Sequence, residues 1–228
     1  MMKINQCWYK DRCPVECSDS CIRFNSIKSL FEHSLLPKPQ WVIHELSCRK
    51  TDLDAFTKLS EISDNINDWV MQGRNLYIYS DICGNGKTSW SIKLLYSWFN
   101  SIWHKSGFDC HGLFISVPKL LYDHRRNMNT EVKGFDELCE KILSVELVVW
   151  DDLPSRTLTE YEHQVLFQFI DARINAGLSN IITGNQNKLG CMSRIGDRLT
   201  SRLFYDEAIE FKEPDKRGMN NGRITDYQ

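Results

Sequence analysis

The sequence predicts an α/β fold, a three-layer sandwich around a central parallel sheet of five strands, with a phosphate-binding loop between a strand and a helix. Three observations carry this prediction. A short apolar run, 76–79, leads into the glycine-containing loop 80–88 and then into a stretch of helical character, 90–99; strand, loop, Gly-Lys-Thr, helix is the context a phosphate loop needs. Further strand-length apolar runs, 112–117, 147–150, 179–185 and 208–211, alternate with helical segments, the pattern of a parallel sheet covered on both faces. The run 147–150 ends in Asp151 and Asp152, and the carboxyl ends of strands are where an open α/β sheet binds its ligand.

The bulk properties set bounds. The chain has 228 residues and a net charge of −2, enough for one sizeable core and too little basicity to announce nucleic acid, so any such contact has to come from a local patch. No apolar run has the length of a membrane span, and the N-terminus has no signal-peptide h-region. The expected location is the cytoplasm, where disulfides are rare. Of nine cysteines, Cys48, Cys83, Cys110, Cys139 and Cys191 are scattered and read as small buried hydrophobes.

The other four, Cys7, Cys13, Cys17 and Cys21, crowd the start of the chain. Their last two gaps suit a structural zinc site, and so short a segment has little core of its own. An iron–sulfur cluster uses the same ligands, four free thiols on a tail are a further reading, and His33 or His44 are candidate replacement ligands. Pro37 and Pro39 suggest a linker or extended arm over 35–47. Leu53, Phe56, Leu59, Ile62, Ile66, Trp69 and Val70 recur at helical spacing, with Thr51 or Asp52 as the cap and Gly73 as the stop.

In the loop, Gly84 and Gly86 let the backbone approach phosphate, Asn85 lies between them, Lys87 reaches the β- and γ-phosphates, and Thr88 ligates Mg²⁺. Asp81 stands where the full pattern has its first glycine, and a surface turn is the competing reading. Beyond the strand at 112–117, Pro118 suits a first helical turn. That helix runs into Arg125 and Arg126, with Lys133 in the loop after it. These cations read either as a solvated face or as a single-stranded nucleic-acid contact, with Tyr122 or Phe135 as a stacking platform. Helices are expected over 135–143 and 158–174, the latter stopped by Gly177. Asp151 suits Mg²⁺ and Asp152 suits orienting or deprotonating an attacking water. Asn185 follows the strand expected between loop and acids, where it either positions that water or serves as a turn residue. Arg194, Arg198 and Arg202 recur four apart, on one helical face. Only about two dozen residues follow Arg202, too few for a multi-helix lid.

The order 84–88, 148–152, 181–185 and 196–203 resembles the Walker A, Walker B, sensor 1 and arginine-finger segments of bacterial and phage replicative helicase loaders of the DnaC/DnaI type, within the AAA+ ATPases. The resemblance covers about 76–211. It implies Mg²⁺-dependent ATP hydrolysis, with Arg202 acting in trans on a neighbouring subunit, Arg198 supporting that interface, and Arg217 as a candidate second phosphate sensor. It also implies a replicative helicase of the DnaB type and single-stranded DNA as partners. The expected layout is a cysteine-rich helicase-docking module over 1–34, a linker over 35–50 and the ATPase domain over 51–228. Transposition helpers of the IstB type share these motifs. A small nucleotide kinase would need an arginine-bearing lid, and an adaptor that binds nucleotide without hydrolysing it is the non-enzymatic alternative.

Overall fold

The computed structural model describes residues 7–9, 13–14, 18, 20–41, 46, 50–107 and 109–215. Cys17, His44, Cys48 and Arg217 lie outside the described residues. In chain order the elements are α1 (Ile22–His33), α2 (Leu53–Asp64), α3 (Ile66–Met71), β1 (Asn75–Tyr79), α4 (Lys87–Ile102), β2 (Gly112–Ser116), α5 (Val117–Asn127), α6 (Phe135–Ser144), β3 (Leu147–Leu153), α7 (Glu160–Asn175), β4 (Ser179–Gly184), α8 (Lys188–Leu203) and β5 (Glu207–Glu210). Two short 3₁₀ turns, Lys38–Trp41 and Lys50–Asp52, join α1 to α2.

The five strands form one parallel sheet in the order β2-β3-β4-β1-β5. Each inner strand is apolar on both faces, and alternate residues go to opposite layers. Leu76, Ile78, Val149 and Ile181 pack beneath α1 to α4, whereas Tyr77, Val148, Trp150 and Ile182 pack beneath α5 to α8. The predicted three-layer sandwich is therefore present, with β4 inserted between β1 and β3. No helix among the described residues is long and apolar enough to cross a membrane.

Several boundaries differ from expectation for local reasons. The single helix expected over 53–70 is two, broken at Asn65, whose Nδ2 donates to the Glu61 carbonyl at 2.9 Å; such side-chain bonds compete with the helical ladder. Asp52 does not cap α2. Its carboxylate instead accepts the backbone N–H groups of Lys212 (2.8 Å) and Glu213 (3.1 Å), pinning the chain that leaves β5. α7 begins at Thr159, which forms a reciprocal capping box with Glu162. α8 is broken at Gly196, with φ 77° and ψ 161°.

Residues 35–41, the described start of the region expected as a linker, are held down. Leu36 and Trp41 are buried, Trp41 Nε1 donates to the Leu36 carbonyl, and the indole stacks on Phe31. Ile27, Leu30 and Phe31 of α1 share the core beneath α4. The Ser34 carbonyl accepts the Phe114 N–H at 2.7 Å, which occupies one donor of the edge strand β2.

A polar knot lies at the amino ends of β3 and β4. Arg173 is fully buried. Its Nε donates to Asn180 Oδ1, Nη1 to the carbonyls of Ile142 (2.5 Å) and Val145 (2.9 Å), and Nη2 to those of Glu146 and Ser179. Asn180 also accepts from Trp150 Nε1 and donates to Asn75 Oδ1. The guanidinium satisfies the end of α6, where a cation is favoured. Burial nonetheless pulls its pKa down to about 9. Replacement Arg173→Ala strands several buried acceptors at roughly 1–3 kcal/mol each. We expect a loss of at least about 3 kcal/mol in chemical denaturation; a loss below about 1 kcal/mol would show that water replaces the guanidinium at no cost.

Candidate functional site: a phosphate loop facing an acidic strand end

The site forms where the strand order reverses, at the carboxyl ends of β1, β4 and β3. Gly86 caps α4 with φ 107°, a left-handed angle that a side chain would resist. Gly84 is also left-handed, and a Cβ there would lie 1.9 Å from Asp215 Oδ1. The segment after β5 thus passes directly against the loop. Asn85 is buried; its Nδ2 donates to Ser80 Oγ at 2.7 Å and to the Glu213 carbonyl at 3.4 Å. Ser80 Oγ in turn accepts the Ile82 N–H. Lys87 Nζ donates to the Ile82 carbonyl (2.8 Å) and to Asn85 Oδ1 (3.2 Å). Asp81 is exposed.

Across the crevice, Thr88 Oγ1 donates to Asp151 Oδ1 at 2.8 Å. Thr183 Oγ1 donates to the same oxygen, also at 2.8 Å. Thr183 then accepts the Asp152 N–H at 2.9 Å. In the β3–β4 register Trp150 faces Ile182 and Leu153 faces Gly184, so Asp151 and Asp152 together oppose Thr183. This bulge re-aims the two carboxylates, and Asp152 takes φ 62° to complete it. Positive φ is uncommon outside glycine, and aspartate is among the residues that tolerate it. Burial pushes the Asp151 carboxyl above the usual range; hydroxyl donation from Thr88 and Thr183 and the charge of Lys87 pull it back, while Asp152 pushes it up. A hydroxyl and a carboxylate side by side are hard oxygen donors that suit Mg²⁺, which takes its remaining ligands from phosphate and water.

The other predicted residues divide. Asn185 is half-buried in the turn after β4. Arg198 and Arg202 lie on α8 beyond the Gly196 break, both over the Phe167 ring of α7. Arg194 parts from them, because its Nη1 donates to the Ser155 carbonyl. Arg125, Arg126 and Lys133 are exposed around the end of α5 and the following loop, and Tyr122 beside them is 65% exposed. Phe135 is not a stacking platform: it is buried at the start of α6, edge-on to His124.

The cysteine expectations change as well. Among the described residues, no three His, Cys, Asp or Glu side chains stand close enough to share a metal ion. The described part of 7–21 is anchored by aromatic contacts. Trp8 stacks on Phe31 and donates from Nε1 to the Trp41 carbonyl, and Tyr9 lies under the Arg23 guanidinium and bonds to Asn100. His33 Nδ1 bonds to the Ser29 carbonyl within its own helix. Cys191 is buried as expected, Cys110 and Cys139 are half-buried, and Cys83 is exposed on the phosphate loop. Desolvation raises the thiol pKa of Cys110, Cys139 and Cys191, which makes them poor nucleophiles.

Thr183 and Glu213 carried no sequence signal that was read, and Asp52 was read as a helix cap rather than as the clamp on the chain after β5. Thr183 was detectable as the one hydroxyl in the buried run Ile181–Ile182–Thr183. The contacts of Asp52 and Glu213 span more than 100 residues and leave no local trace.

These features define a three-layer α/β fold with a five-stranded parallel sheet and a glycine-bearing loop facing an acidic strand end. Solved structures with this fold include the DnaC helicase loader (TM-score 0.63, 21% identity, 77% of this chain and 100% of that one) and DnaI (TM-score 0.61, 16% identity, 81% and 95%). A protein from Streptococcus pyogenes serotype M3 matches at TM-score 0.59 and 18% identity, over 83% of this chain and 98% of that one. A DnaA structure bound to AMPPCP and single-stranded DNA matches at TM-score 0.61 and 16% identity, over 77% of this chain and 51% of that one. No protein-family model and no curated protein sequence matches the chain.

The Asp151 geometry yields a stability prediction. Its folded pKa lies above the unfolded value, so its ionisation opposes folding as pH rises from the unfolded pKa to the folded one and beyond. Asp151→Asn keeps an oxygen acceptor and removes the charge. At pH 7 its melting temperature is expected to equal or exceed that of the native chain, while stabilisation by ATP with Mg²⁺ is lost. A clear drop in melting temperature without nucleotide would contradict this account.

Proposed function

We propose that the protein is an ATP-dependent loader that places a ring-shaped replicative helicase on single-stranded DNA. The observation that carries the reading is the meeting of Thr88 and Asp151 beside Lys87, in a fold shared with the DnaC helicase loader over that chain's full length. In this reading the backbone of 84–88 and the Lys87 ammonium bind the β- and γ-phosphates. Thr88 and Asp151 hold Mg²⁺, which draws charge from the phosphate oxygens when bound. Asp152 and Asn185 orient the attacking water, and Asp152 accepts its proton. Arg202, with Arg198 beside it, completes the site of a neighbouring copy, as arginine fingers do in other phosphoryl-transfer sites.

Hydrolysis separates the loader from an adaptor that binds nucleotide without turning it over, a reading favoured by the exposed Asp81 at the loop. Steady-state ATPase should be detectable and should respond to single-stranded DNA. Lys87→Ala should lose nucleotide binding. Arg202→Ala should keep binding and lose turnover, by on the order of a thousandfold if it acts as a finger. Tight binding with no turnover under any condition would select the adaptor.

Single-stranded DNA is assigned to Arg125, Arg126 and Lys133, with Tyr122 as the stacking surface. Helicase docking is assigned to the N-terminal segment, held by Trp8 and Tyr9. The full chain should co-purify with the replicative helicase of its host, and a chain lacking residues 1–20 should not, provided its thermal transition is retained. Failure of the full chain to bind, with ATPase intact, would favour a transposition helper of the IstB type.

A further inference from the structure

The three arginines of α8 recur at four-residue spacing yet are held in three different ways. Arg194 Nη1 is tied to the Ser155 carbonyl, upstream of the Gly196 break. Arg198 lies 5.1 Å from the Phe167 ring centroid, and its contact among the described residues is this ring. Arg202 lies 5.9 Å from the same centroid, and its Nε donates to Asp171 Oδ1 at 2.5 Å. Phe167 and Asp171 are one turn apart on α7, so one helical face presents both the ring and the carboxylate.

The contact at Arg202 is side-on. A guanidinium carries five N–H donors in a rigid planar fork. Asp171 takes the one on Nε, and neither terminal amino group of Arg202 has a hydrogen-bond partner among the described residues. Those two groups form the end of the fork that bonds a phosphate bidentately. The pair is also partly exposed, with side-chain exposures of 34% for Arg202 and 22% for Asp171. An ion pair this wet contributes little to stability, which leaves orientation as its main effect.

We propose that Asp171 is a positioning residue for the trans-acting Arg202. It grips the guanidinium by its edge, Phe167 supports it from below, and the terminal amino groups stay available to the γ-phosphate bound by the neighbouring copy. The assignment rests on the finger reading of Arg202 given above. A misplacement of 1 Å in such a group costs on the order of a hundredfold in rate, so a fixed edge contact has a direct catalytic consequence. The adjacent Gly196 break has a matching role: it turns the second half of α8 so that Arg198 and Arg202 meet α7.

Mixing of full-length variants tests this. Lys87→Ala copies bind no nucleotide but keep the finger; Arg202→Ala copies bind nucleotide but lack it. A mixture of the two should hydrolyse ATP where each alone does not. Adding Asp171→Ala to the Lys87→Ala copy, the finger donor, should lower the complemented kcat at least about tenfold, with KM unchanged. Adding it to the Arg202→Ala copy should change nothing. Asp171→Glu in the donor should restore part of the rate. An equal loss from either copy would mark Asp171 as merely structural, and a gain of activity would mark it as a lock on Arg202; each overturns the proposal. A mixture that stays inactive without any Asp171 change would overturn the finger reading itself, and the positioning role with it.

Discussion

The insertion of β4 between β1 and β3 is the constraint on which the rest of the molecule depends. It parts the phosphate loop from the acidic strand by one strand width and opens the crevice in which Thr88 and Asp151 meet. β4 is buried along its whole length, and its polar side chains fix its register. They do so in two polar knots. At the amino end Asn180 of β4 engages Arg173, Trp150 and Asn75. At the carboxyl end Thr183 of the same strand engages Asp151 and the Asp152 backbone. One strand therefore carries both a structural anchor and the bridge of the site.

The phosphate loop is held in shape by the chain itself. Lys87 bonds to a carbonyl and an amide oxygen of its own loop. Asn85 links this loop to the segment after β5, and Asp52 at the head of α2 holds that segment in turn. Hydrogen bonds thereby tie the loop to the chain beyond β5, and that chain to the head of α2. Asp81 is exposed at the loop and Asp215 lies against Gly84, so both add negative charge beside the Lys87 ammonium.

The start of the chain shows how one composition admits two kinds of anchor. Four cysteines in a short segment suggest a metal that substitutes for a missing core. The described residues there reach an existing core through Trp8 on Phe31 and Tyr96 and through Tyr9 beneath Arg23. Large aromatic side chains bury enough area to fix a short segment without a core of its own.

The sequence alone determined the fold class, the order of strands and helices from β1 onward, and the placement of a strand between loop and acids, and it singled out Lys87, Thr88 and Asp151 as candidates. These are legible because they rest on local periodicity and on motifs of near neighbours. The helix α1 was not read from the sequence. Helix breaks at Asn65 and Gly196 were not legible, since each residue is also compatible with a continuing helix. Only the tertiary structure decided that Phe135 is buried while Tyr122 is exposed, that Asp52 clamps the chain after β5, that Thr183 joins the two acids, and that Asp171 holds Arg202. Each of these depends on groups far apart in the chain or on opposed elements, and side-chain periodicity carries no information about which distant partner an element will meet.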